Sequence, residues 1–105
     1  MAEDKIVVRI DADLEDLIPE FLDNRREDLH TLTEALSRLD FETIRRMGHS
    51  MKGAGGGYGF DAITDRGRAI EEAAKVQNGT DIRAEIAELS NYLQRVEVVY
   101  EEMDY

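Results

Sequence analysis

His49, Lys52, Gly53 and Gly56 stand at i, i+3, i+4 and i+7 of one segment, a spacing that gathers them on one side of an α-helix. Met47 and Met51 fall about 200° round the same helix from His49 at 3.6 residues per turn. If the methionines face a core, the imidazole faces solvent. A ring nitrogen carrying a lone pair is a nucleophile. An ammonium one turn along, on Lys52, is suited to pair with an anionic oxygen such as that of a phosphoryl group carried on the ring.

Gly53, Gly55, Gly56, Gly57 and Gly59 crowd the stretch that follows. Each glycine costs roughly 1 kcal/mol against alanine inside a helix. Local propensity therefore ends the helix near Gly53 and leaves a loop. The core period, however, runs on through Ala54 to Tyr58 without a change of phase, as it would in a continuing helix. In that second case Gly53 and Gly56 leave the surface beside His49 bare, open to close approach by a partner backbone. Nucleotide binding fails on register. From Gly53 and Gly55 the third position of a dinucleotide fingerprint is Tyr58, and the relaxed match Gly57, Gly59, Ala62 follows no strand. The lysine precedes the glycines, so the P-loop order is absent too.

The elements that must hold these residues are read from apolar periodicity. Ile6 to Ile10 is β-prone but short and without an evident partner, which makes it an extended arm. Asp13 is a candidate N-cap, with Leu14, Leu17, Ile18, Phe21 and Leu22 at helical spacing behind it. Pro19 should kink this helix or begin a new one. A longer helix then runs from about Pro19 to Leu39 on the stripe Leu29, Leu32, Leu36 and Leu39. Asp40 caps the His49 helix, with Ile44, Met47, Met51, Ala54 and Tyr58 inward. Asp61 caps a third helix, whose stripe Ile63, Gly67, Ile70 and Ala74 stops before Asn78-Gly79. A last helix starts near Thr80 or Asp81 and carries Ile82, Ile86, Leu89, Leu93, Val96, Tyr100 and Met103. Short connections favour antiparallel neighbours. The expected fold is all-α, an antiparallel up-and-down four-helix bundle with a short additional N-terminal helix, divided into an arm at 1–12 and a bundle at 13–105.

Composition narrows the function. A chain of 105 residues, 42% hydrophobic, suffices for one domain with one core. It has no cysteine, so neither disulfides nor thiolate zinc can brace it. A net charge of −11 repels nucleic acid and anionic membranes. The acidic start and the absence of a long apolar run predict a cytoplasmic protein. A bundle that buries its own stripes predicts a monomer. His30, beside Leu29 and Leu32, belongs on a helix flank and receives no function.

The stretch from Ile44 to Phe60, IRRMGHSMKGAGGGYGF, resembles the signature of histidine phosphotransfer (HPt) domains, in which His-x-x-Lys-Gly is followed by small residues and a later glycine. The resemblance implies a helical phosphocarrier of two-component phosphorelays, with His49 as phosphoryl acceptor and Lys52 as charge partner. Gly53, Gly56 and Gly59 become small positions on the docking face. It further implies that Glu71, on the following helix, accepts a hydrogen bond from Nδ1 of the imidazole and leaves Nε2 as nucleophile. The implied partners are the aspartate-bearing receiver domain of a response regulator and a hybrid histidine kinase. Magnesium would be held by the receiver, with no cofactor on this chain and no kinase or ATPase activity. Arg45, Arg46, Arg66 and Arg68 add positive charge near this face, suited to an acidic receiver pocket. Ala54 and Gly55 depart from relatives that carry serine or a bulkier residue there. The alternative is a non-catalytic adaptor that keeps the docking face without carrying phosphate.

Overall fold

The computed structural model describes residues 4–102. In chain order it holds strand β1 (Ile6–Asp11), a 3-10 turn (Ala12–Leu14), helices α1 (Ile18–Ser37), α2 (Phe41–Gly57), α3 (Asp61–Lys75) and α4 (Gly79–Arg95), and strand β2 (Val96–Glu101). The four helices form a bundle in which α1 packs on α2 and α4, and α3 on α2 and α4. Ile18, Leu32, Ile44, Phe60, Ile63, Ile70, Ile82 and Leu89 are fully buried between them, each such side chain contributing roughly 1.5–3 kcal/mol by leaving water. Among the described residues no helix is long and apolar enough to cross a membrane.

Two parts of the chain differ from the sequence expectation. The additional N-terminal helix is only the single turn Ala12–Leu14, capped by the Asp11 carboxylate on the Asp13 amide. Asp13 does not start a helix because Pro19 does: it stands at the second residue of α1, where its missing amide would have had no partner anyway. The last helix is also shorter than its stripe suggested. It ends at Arg95, and Val96 to Glu101 turn into a strand that pairs in parallel with β1, from Ile6 opposite Val96 to Asp11 opposite Glu101. The fold is thus mainly helical with a small sheet, and the Ile6–Ile10 arm has a partner after all. Met103 lies outside the described residues.

A parallel pair cannot be closed by a tight turn, and here the crossover is the entire four-helix bundle. Ile6, Val8 and Ile10 with Val96, Val98 and Tyr100 pack against the core. Val7 and Val99 face outward, beside an Arg9–Glu101 ion pair at 3.2 Å. The end of β1 lies against the α2–α3 turn. A Cβ on Gly59 would stand 2.9 Å from Cδ1 of Ile10.

Three helices end in the same way. After α1, α2 and α3 the amides of Asp40, Phe60 and Asn78 bond back to the carbonyls of Ala35, Gly55 and Ala73. A left-handed residue makes each reversal: Leu39, Gly59 and Gln77 have φ of 57°, 90° and 56°. This is the Schellman arrangement, which satisfies carbonyls left over at a helix end. It lets each helix reverse within three residues. Asn78 then caps α4 by accepting from the Asp81 amide, so the Asn78-Gly79 pair starts that helix as well as following the stop of α3. Asp61 is the first residue of α3 and makes no side-chain cap; Phe60 holds the cap position.

Candidate functional site

Helix α2 begins at Asp40, whose carboxylate accepts from the amide and the hydroxyl of Thr43 at 3.2 and 2.7 Å. Those bonds hold the Asp40 carboxyl below its ordinary value and satisfy an amide that the first turn leaves unpaired. The helix continues through the glycine run to Gly57, so the unbroken core period, not local propensity, describes this stretch. The reason is tertiary. Gly55 lies flush against α3, where a Cβ would come within 2.6 Å of the Thr64 amide nitrogen. The buried face of α2 is Ile44, Gly48, Met51 and Gly55, with Met47, Ala54 and Tyr58 at its margin.

With Met51 inward, His49 points out. Its side chain is 67% exposed, whereas the Glu71 side chain beside it is only 4% exposed. Glu71 comes from the middle of α3, which runs antiparallel to α2: Gly48 abuts Gly67 and Glu71, while Gly55 abuts Phe60 and Thr64. One carboxylate oxygen, Oε2, lies 2.9 Å from Nδ1 of His49. The other, Oε1, faces Nζ of Lys52 at 2.8 Å without receiving a well-directed hydrogen bond. The Lys52 ammonium holds the Glu71 carboxyl below its ordinary value of 4.5 despite burial, and His49 acts in the same direction. An ionised carboxylate only accepts hydrogen bonds. Nδ1 must therefore carry the ring proton of a neutral His49, and the exposed Nε2 carries the lone pair.

The other residues singled out from the sequence divide into groups. Gly53 is exposed with open space where a Cβ would be, and Gly56 is exposed with only the Thr64 hydroxyl in ordinary contact. Both leave the surface beyond Lys52 bare. Gly59 instead sits in the left-handed turn after α2, against Ile10. Arg45 and Arg46 are on α2 close to Glu42, Arg66 pairs with Glu85 at 2.6 Å, and Arg68 pairs with Asp65. Their positive charge is partnered locally. His30 lines a cleft between α1 and α4, with Leu29, Thr33 and Ile86.

Three contributors escape sequence reading. Gly48 and Gly67 touch backbone to backbone at the level of His49, and the Thr64 hydroxyl donates to the Lys52 carbonyl at 3.0 Å, tying α3 to α2. Gly67 carries a signal of sorts, as a glycine within an apolar stripe that would otherwise hold a side chain. Gly48 has none beyond adjoining His49.

Comparison with curated proteins and with solved structures returns no match for this chain. A family model does match: the Hpt domain, the histidine phosphotransfer unit of phosphorelays, aligns with residues 16–98. That span takes in all four helices together with His49, Lys52 and Glu71, and the chain accordingly belongs to the Hpt domain family.

Proposed function

We propose that this chain is a phosphocarrier in which Nε2 of His49 accepts a phosphoryl group and exchanges it with the aspartate of a response-regulator receiver domain. Hpt domains interact with receiver domains and kinases, and a hybrid histidine kinase is the second partner of this reading. The single observation that carries it is the Glu71 carboxylate on Nδ1 of an exposed histidine. With the proton held on Nδ1, Nε2 attacks phosphorus without first losing a proton. The bond from phosphorus to the aspartyl oxygen breaks as the new bond to nitrogen forms, and the aspartate leaves as carboxylate. The ring gains positive charge while bound to phosphorus, and the buried carboxylate of Glu71 stabilises it. The reverse transfer regenerates neutral imidazole.

Lys52 has two duties in this account. In the free domain its ammonium balances Glu71; when phosphate is on the ring it also lies within a turn of the phosphoryl oxygens. Gly53 and Gly56 present a flat approach to the receiver, and Gly59 closes the turn at the far end of that face. The in-line geometry and the magnesium belong to the receiver, and this chain supplies nucleophile, charge and surface.

The test is phosphotransfer from a panel of phosphorylated receiver domains to the native chain and to His49→Gln. Acid-labile, base-stable label present in the native chain and missing from His49→Gln is the expected result. Receivers that bind the chain yet never label His49 would favour the non-catalytic adaptor instead.

A further inference from the structure

We infer that Gly48 and Gly67 are positioning residues for His49: their direct backbone contact sets the α2–α3 spacing at which one carboxylate, that of Glu71, reaches both Nδ1 of His49 and Nζ of Lys52. The contact is reciprocal. A Cβ on Gly48 would stand 2.8 Å from the Gly67 carbonyl oxygen, and a Cβ on Gly67 would stand 2.8 Å from the Gly48 carbonyl oxygen. Each glycine also meets the backbone of a site residue, Gly48 the Glu71 amide nitrogen at 2.7 Å and Gly67 the Lys52 amide nitrogen at 2.6 Å. These neighbours are backbone atoms and cannot rotate away. Any side chain at either position must push the two helices apart.

Placement along the helices gives the contact its consequence. Gly48 immediately precedes His49 and lies one turn before Lys52; Gly67 lies one turn before Glu71. Of the two tight approaches along this seam, one at Gly55 and Thr64 and one at Gly48 and Gly67, the second thus falls at the level of the three charged or titratable side chains. Ordinary Cβ contact begins at 3.4 Å. Relieving the shortest of these contacts to that distance would carry α3 away from α2 by roughly 0.7–0.8 Å, enough to stretch the His49–Glu71 bond to about 3.6 Å, past the limit for a hydrogen bond. Both partners of Glu71 sit at 2.8–2.9 Å.

The inference concerns geometry and the ring proton; its effect on transfer rests on the proposed phosphocarrier role, so the two are measured separately. Nitrogen-15 spectra of the full chain report the His49 tautomer, with His30 as an internal reference. Gly48→Ala and Gly67→Ala should lower the ratio of the Nδ1–H to the Nε2–H form by at least about threefold. Gly57→Ala, where a Cβ would meet nothing within 4 Å, should leave it unchanged. Glu71→Asp adds no bulk and shortens the carboxylate by one methylene, so it should lower the ratio likewise even if both alanine variants fail to fold. A native ratio in either folded alanine variant, or in Glu71→Asp, would overturn the inference. Where receivers label His49, Gly67→Ala should also slow labelling by about tenfold or more. If no receiver labels the native chain but the tautomer responds as stated, the phosphocarrier reading fails while the positioning role stands.

Discussion

The two long seams of the bundle are built on opposite plans. Between α2 and α3 the contact is backbone against backbone, through Gly48, Gly55 and Gly67, with Thr64 bonded across it. Between α1 and α4 the helices meet through side chains, and Arg26, Leu29, His30, Ile86 and Leu93 line an open cleft of about 440 Å³. The first seam carries the histidine, its carboxylate and its lysine. The second carries ordinary apolar packing. Precision near His49 thus comes from removing side chains, which leaves no rotamer to adjust, while the opposite seam relies on flexible side chains that can repack.

Substitution should expose that difference in stability first. Gly67→Leu forces a bulky side chain into a gap bounded by the Lys52 amide and Gly48 carbonyl, and is expected to destabilise the fold by about 3 kcal/mol or more. Leu29→Ala, on the half-buried wall of the cleft, should cost only about 1–2 kcal/mol and leave labelling of His49 unchanged. Denaturant midpoints measured side by side check this. Equal losses at the two seams would remove the distinction.

Next in size is the charge pair. Lys52→Met leaves the buried Glu71 carboxylate without its ammonium, at a cost of roughly 1–3 kcal/mol, because Lys52 itself is partly exposed. The pH dependence follows from the direction of the shift. Glu71 titrates below its ordinary 4.5 in the folded chain, so its contribution to stability is complete above that value and is lost as pH falls through the lower native one. In Lys52→Met the main cause of the lowering is gone, the native and unfolded values converge, and the loss on acidification should be smaller. Urea titrations of both proteins between neutral pH and pH 3 measure it; superimposable profiles would show that Lys52 does not hold the carboxylate.

The helix termini offer smaller effects. Asp40→Ala, which removes the cap of the His49 helix, should cost about 1 kcal/mol. Gln77→Gly relieves a left-handed residue that carries a side chain and should stabilise by about 0.5–1 kcal/mol. Thermal melts resolve both signs. A loss on Gln77→Gly would mean that the turn after α3 is held by the side chain, not by the backbone reversal.

Sequence alone conveyed the four helical stripes, since Ile44, Ile63, Ile82 and their neighbours repeat at the period that a buried face imposes. It misread the chain ends for an equally physical reason. Val96 and Tyr100 are four apart and so satisfy a helical period, yet Val96, Val98 and Tyr100 also alternate as a strand does, and only the pairing with Ile6 to Asp11 decides between the two. The same ambiguity hid the partner of the arm. At the site, the common face of His49 and Lys52 followed from spacing, and Glu71 from family resemblance. The lysine–glutamate contact and the Gly48–Gly67 contact belong to the packing of one helix on another. No spacing within a single helix encodes them.

The central claim is that Nε2 of His49 takes the phosphoryl group while Nδ1 keeps its proton on Glu71. Phosphorus and nitrogen-15 spectra of the chain after labelling by a phosphorylated receiver test it most directly. The account predicts one phosphoryl group on His49, bonded to Nε2, with a protonated Nδ1 that loses its distinctive shift in Glu71→Ala. A phosphoryl group on Nδ1, or on any residue other than His49, would contradict it.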